Sequence, residues 1–115
     1  MDFSLSEEQV LLQDSVDKYV REHCDVERHR SLCKSELGFE QSAWQQFAAL
    51  GWLSVPFSSA LGGIDGGAID LMVVGEALGK GLVREPYLAT VVTCGGLLQR
   101  GGNDAQRARY IPDII

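Results

Sequence analysis

Two stretches of this 115-residue chain, AIDLMVVGEALG at 68–79 and YLATVVTCGGLLQR at 87–100, are apolar on almost every side when wound at 3.6 residues per turn. A helix of that kind has no polar face to give to water, so each segment is expected to pack on more than one surface. Pro86 stands where a first helical turn needs no N–H, which makes the segment behind it the expected central helix. No run alternates with period two for long enough to read as a strand. The expected fold class is all-α, an orthogonal or up-down bundle of about five helices in a single domain over residues 1–115.

Local signals place the remaining helices. Ser6 and Gln9 have capping-box spacing and Leu5 and Val10 occupy staple positions, so a helix is predicted to begin at Glu7. Within it Leu12, Val16, Tyr19 and Val20 share one face, with Asp14, Asp17, Lys18 and Arg21 largely off it. The charged stretch 25–38, punctuated by Gly38, reads as helix end or loop. A second helix is predicted over 39–50, with Ala43, Trp44, Phe47 and Ala48 inward and Gly51 in the left-handed position that stops it. WLSVPFSS at 52–59 reads as extended or irregular, because Pro56 biases Val55 away from the helical region. Gly79 and Gly81 are expected to end the 68–79 helix. Asn103 with Gln106 starts a short last helix that Pro112 is expected to stop.

The formal charge of −6 is carried mostly by residues 1–50, with ten acids against five Lys and Arg. A nucleic-acid partner needs a basic stripe, so this balance argues against one. No segment approaches the roughly 20 consecutive apolar residues of a membrane span, and the acidic start MDFSLSEEQ lacks the basic opening of a signal or transit peptide. Three cysteines without close pairing fit a reducing compartment. The expectation is a soluble intracellular chain.

Candidate chemistry is thin. LGGIDGG at 61–67 has neither the spacing of a dinucleotide fingerprint nor a strand before it. Gly75 to Gly79-Lys80-Gly81 is one residue short of a phosphate loop and lacks its hydroxyl. The glycines read instead as a turn feeding a tightly packed helix. His23, Cys24, His29 and Cys33 offer only half of a zinc spacing, so no metal is expected. Cys94 reads as a small hydrophobe in an apolar helix, although a Cys–His pair stays open. Glu76 reads either as a buried general base or, more simply, as the partner of Lys80 at i,i+4.

Taken in order, SLSEEQVLLQDSVDKYVRE, AWQQFAALGWLSVPF, LGGIDGGAIDLMVVGEALGKGL and GGNDAQRARYIPDI closely resemble the amino-terminal helical domain of the acyl-CoA dehydrogenase family, through nearly the whole chain. Two positions differ: Leu61 stands where the family usually has an aromatic residue, and Glu85-Pro86 where it often has a polar pair. The resemblance implies a flavoenzyme that holds FAD noncovalently and removes hydrogens from the α and β carbons of an acyl-CoA thioester, a glutamate taking the α proton. It implies a helical domain, a β-barrel-like middle domain and a second helical domain, assembled as a homo- or hetero-oligomer that hands electrons to an acceptor. On that reading the chain is the first of these parts, carries no catalytic residue, and leaves most FAD contacts to the others. The apolar ending YIPDII, odd for an independent protein, fits this expectation. The resemblance places residues 85–94 at the acyl-chain cavity, with Pro86, Tyr87, Thr90 and Val91 facing the acyl group. The expected setting, from the cysteine usage and the lack of a leader, is cytoplasmic, or the mitochondrial matrix in a eukaryote. Two other readings stay open, a stand-alone helical interaction or oligomerisation module and the same domain of a flavin oxidase or monooxygenase.

Overall fold

The computed structural model describes residues 1–115 and is built of helices and turns. Six α-helices follow one another: α1 (Glu7–His23), α2 (Val26–Cys33), α3 (Gln41–Ala49), α4 (Ala68–Lys80), α5 (Gly95–Gly101) and α6 (Asp104–Ile114). A π-helical stretch, Leu88–Cys94, runs directly into α5, and single 3₁₀ turns occupy Trp52–Ser54 and Ser59–Leu61. The all-α class is as expected, with one helix more than about five.

The extra helix is α2, where the charge pattern read as helix end or loop. Its start is set by Asp25, whose carboxylate accepts the Arg28 N–H at 2.7 Å, and it buries only Leu32. Eight residues with one buried apolar position are too short for a period to show. The α1 start follows the local signal: the Gln9 N–H donates to Ser6 Oγ at 3.2 Å and the Ser6 N–H to Gln9 Oε1 at 3.0 Å. Val16, Tyr19 and Val20 are buried, Leu12 packs at the core's edge, and Val10, at the staple position, is exposed. Helix α3 begins at Gln41 rather than 39, and Glu40 before it makes no side-chain cap because its carboxylate reaches Arg28 at 3.2 Å. Gly51 takes φ +82° behind α3 as predicted.

The segment after Gly51 is the deepest part of the molecule. Trp52, Leu53, Val55 and Phe57 are almost wholly buried, and the Trp52 indole N–H donates to Ser15 Oγ on α1. The glycine loop folds back onto it. N–H groups of Gly62, Gly63, Ile64, Asp65 and Gly66 donate to carbonyls of Ser59, Ser58, Ser54, Phe57 and Val55, and the Gly67 N–H donates to the Asp70 carboxylate. A Cβ on Gly63 would lie 2.0 Å from the Phe57 carbonyl oxygen, so the loop can lie this close only without a side chain there. The loop is a turn delivering α4, and its amides are already spent.

The molecule measures 42 × 40 × 22 Å, and 20 of its 115 residues are buried. A thickness of 22 Å is about two helix diameters. Segments 68–79 and 87–100, expected to pack on more than one surface, each leave one side uncovered. Helix α4 packs on α1 through Val73, Val74, Ala77 and Leu78 and leaves Ile69 and Met72 open. The 87–101 helix buries Tyr87, Val91 and Gly95 and exposes Leu88, Cys94 and Leu97. Cys94 is thus not the buried hydrophobe expected.

Two helix ends also differ. Helix α4 reaches Lys80, and the left-handed residue behind it is Leu82, while Gly81 stands where a Cβ would meet Val20 Cγ1 at 2.6 Å. Helix α6 continues past Pro112 to Ile114, because the proline forfeits only one bond near the end while Ile111, Ile114 and Ile115 anchor that turn on the core.

Two glycine substitutions are expected to move stability in opposite directions. A Cβ on Gly95 would sit 2.5 Å from Phe57 Cζ, so Gly95→Ala should cost about 1–3 kcal/mol. Gly75 meets nothing within 4 Å, so Gly75→Ala should stabilise by roughly 0.5–1 kcal/mol. Urea denaturation followed by circular dichroism checks both.

Candidate functional site

The bare sides of α4 and the 87–101 helix meet at a cleft of about 450 Å³, with eight apolar residues among its eleven lining residues. Leu71, Met72, Gly75 and Gly79 line it from α4, Leu88 and Val92 from the π stretch. Gly75 and Gly79 lie one helical turn apart and meet no other atom within 4 Å of a built Cβ, so they keep the floor of the cleft free. The π stretch shapes the opposite wall. Its Gly95 end donates the amide to Thr90 O, five residues back. Buried positions Tyr87, Val91 and Gly95 are spaced by four. In a strict 3.6-residue helix such a line drifts by about 40° per step, and the wider turns take that drift up. Leu88 and Val92 are thereby aimed along the cleft.

One carboxylate belongs to the lining: Glu85, ahead of the π stretch, with its side chain fully out of solvent. Its Oε1 accepts from Arg28 Nη2 at 2.5 Å and from the Glu40 N–H at 3.3 Å. Its Oε2 is buried with no hydrogen-bond partner. Arg28 arrives from α2 and also bonds Glu40. Burial works against its positive charge, but the hydrogen bond and charge of Glu85 outweigh this and hold the guanidinium pKa above its ordinary value. Tyr87 beside Glu85 is buried, donates its OH to the Trp52 carbonyl at 3.0 Å, and has its phenol pKa pushed up by burial.

Of the four residues the family resemblance singled out, Tyr87 lies in the cleft wall. Pro86 and Thr90 are half-buried and outside the lining, and Val91 is fully buried in the core. Glu85 and Arg28 were not singled out as functional. The only signal was Glu85-Pro86 as a departure from the family pattern. Gly75 and Gly79 were weighed as phosphate binders but serve as open floor.

Other candidates fall outside the cleft. Glu76 is exposed and pairs with Lys80 at 3.5 Å, the simpler of its two readings. His29 Nδ1 lies 3.0 Å from the Leu82 carbonyl, and Cys33 Sγ lies 3.5 Å from His29 Nε2 and 3.4 Å from Arg84 Nη1 on the exposed side of α2. No three His, Cys, Asp or Glu side chains group to hold a metal ion, and no helix is long and apolar enough to cross a membrane.

The open side of this thin helical layer holds an apolar cleft. The family described as acyl-CoA dehydrogenase, N-terminal domain, matches residues 6–115, and the chain belongs to it. It is similar to acyl-CoA dehydrogenase FadE27 of Mycobacterium tuberculosis strain H37Rv, 36% identical over 103 residues that make up 90% of this chain and 28% of that protein. Its fold matches the ChsE4–ChsE5 complex of Mycobacterium tuberculosis with a TM-score of 0.89 and 32% identity, covering 99% of this chain and 31% of that one. PigA, solved with FAD and proline, matches with a TM-score of 0.79 and 27% identity over 99% of this chain and 30% of its own. The chain therefore spans less than a third of the length of each of these relatives.

The buried pair gives a direct test. Arg28→Met leaves the Glu85 charge uncompensated and should cost about 3–5 kcal/mol, whereas Arg28→Met with Glu85→Leu should recover most of that loss. Denaturation midpoints of the two variants against the parent chain measure the difference.

Proposed function

We propose that this chain is the amino-terminal helical domain of an FAD-dependent acyl-CoA dehydrogenase, which removes hydrogens from the α and β carbons of an acyl-CoA thioester, and that the cleft walls part of the acyl chain's site. The observation that carries this is the apolar cleft on the open side of a domain whose family match spans residues 6–115. A hydrocarbon chain has no hydrogen bonds to satisfy and gains about 0.8 kcal/mol per methylene on leaving water, so an apolar cleft suits it. Tyr87, Leu88, Val92 and Met72 would touch the chain. Pro86 and Thr90 would flank it, and Val91 would hold the helix in place from behind.

The residues of this chain do not suit the FAD diphosphate. The glycine-loop amides are all engaged within the loop's own fold, and Arg28, the cation bonded to Glu85, is tied to two carboxylates. FAD is therefore assigned to the middle and second helical domains of the parent protein, along with the catalytic glutamate, and this domain supplies shape and exclusion of water. The exposed apolar residues Ile69, Met72, Leu88 and Leu97 would pack against those domains or a second subunit. That second possibility is supported by a fold match to a chain solved in a ChsE4–ChsE5 complex. Three free cysteines suit a reducing cytoplasmic setting, with an electron-accepting protein as the partner that completes turnover.

The complete product of the gene should purify with a flavin absorbance that acyl-CoA bleaches under anaerobic conditions. Gly79→Leu in that protein, which fills the cleft floor, should lower kcat/KM for long acyl chains by at least about tenfold and leave the shortest substrates nearly unaffected. A colourless product, or a flavin that no acyl-CoA reduces, would instead favour a stand-alone interaction module.

A further inference from the structure

We propose that Cys33 is a reactive thiol, oxidised by hydrogen peroxide to a sulfenic acid, with His29 as its base and Arg84 as the cation that steadies the sulfur anion. The site lies outside the cleft and does not depend on the acyl-binding reading.

The cysteine does not stand alone. His29 and Cys33 are one turn apart on α2, and Arg84 reaches them from the loop between α4 and the π stretch. His29 Nδ1 lies 3.0 Å from the Leu82 carbonyl oxygen. A carbonyl only accepts, so Nδ1 carries the hydrogen and the neutral ring keeps a lone pair on Nε2. That nitrogen lies 3.5 Å from Cys33 Sγ, within reach of the thiol proton. From its other side the same sulfur accepts Arg84 Nη1 at 3.4 Å, while Arg84 Nε donates to the Gly38 carbonyl at 2.8 Å. Each group that serves the sulfur is thus fixed by a backbone carbonyl of its own. Nucleophile, base and orienting group in hydrogen-bond sequence are the arrangement that activated nucleophiles share.

The other two thiols lack it. Cys24 is half-buried, and burial pushes its thiol pKa up. Cys94 is exposed like Cys33, but neither an imidazole nor a guanidinium is bonded to its sulfur. Exposure alone therefore does not set Cys33 apart; its two neighbours do.

Hydrogen peroxide is small enough to reach an exposed side chain without a pocket. Sγ attacks one peroxide oxygen, and the S–O bond forms as the O–O bond breaks. The thiol proton passes to His29 Nε2 and on to the departing oxygen, which leaves as water. Sulfur loses two electrons and the peroxide gains them, leaving a sulfenic acid that a second thiol can reduce.

The test uses the complete product of the gene, treated with hydrogen peroxide in the presence of dimedone, which traps sulfenic acids, and peptide mass spectrometry reads the rate at each cysteine. In the native protein Cys33 should be trapped about tenfold or more faster than Cys94, and in urea, which dissolves the arrangement, the two rates should come together. His29→Gln keeps a donor for the Leu82 carbonyl but has no base, and Arg84→Met removes the cation. Each should slow Cys33 by at least about threefold and leave Cys94 unchanged. A variant that loosens the fold reveals itself by faster trapping at half-buried Cys24, and the comparison of native with unfolded parent then decides. Trapping at Cys33 that is absent or no faster than at Cys94, an advantage that persists in urea, or one that survives both substitutions overturns the proposal.

Discussion

Trp52 ties the elements of this domain to one point. Its indole N–H is held by Ser15 of α1, its ring stands edge-on to Tyr19 at 5.4 Å and tilted to Phe47 of α3 at 4.9 Å, and its carbonyl accepts the Tyr87 hydroxyl. Tyr19 is also edge-on to Phe47, so three rings close on one another with geometries that add about 0.5–1.5 kcal/mol per pair beyond their burial. Through Tyr87 this junction fixes where the π stretch begins. The contact persists across the physiological range, because burial raises the phenol pKa and the hydroxyl stays a donor. Its contribution is complete below the ordinary phenol range and is lost only as pH rises through the raised value. The cleft wall is thus referred to the backbone of Trp52, which carries the largest fully buried side chain in the molecule.

The second anchor of that wall is ionic. Arg28 crosses from α2 to Glu85, 57 residues away in sequence, and ties a helix that contributes little apolar burial to the residue immediately before Pro86. A buried pair of this kind is seldom the most stabilising solution, since apolar residues of similar volume often do as well or better. What it provides is a fixed tie between α2 and the residue that leads into the cleft wall. The Trp52 junction places the helix, and the Arg28 contact places one polar atom beside it.

What could be read from sequence is what depends on neighbours in the chain. Ser6 with Gln9 and Asn103 with Gln106 close their boxes within four residues, and Gly51 needs only its own backbone, so all three were legible. Helix α2 was missed because one buried leucine makes no pattern, and the end of α6 because Pro112 was weighed without the isoleucines that anchor the turn around it. The burial of 52–57 depends on contacts from α1, α3 and the π stretch, none of them local. The cleft was half legible: the apolar character of 68–79 and 87–100 was plain, and Tyr87 was singled out through the family resemblance. The role of Glu85 appears only when Arg28 is brought to it.

The apolar runs at 68–79 and 87–100 have two surfaces to hide, and a layer two helices thick hides one. The uncovered side is also where the chain gives up stability it has the means to keep. Gly75 and Gly79 stand in a helix at positions where alanine would meet no obstacle, and Glu85 keeps a buried oxygen unpaired. Each choice alone is a small cost of an ordinary kind. All three residues belong to the lining of one cleft, and the two glycines leave space there. Space kept open at a cost in helix stability is what a surface built to receive another molecule or another part of a protein requires.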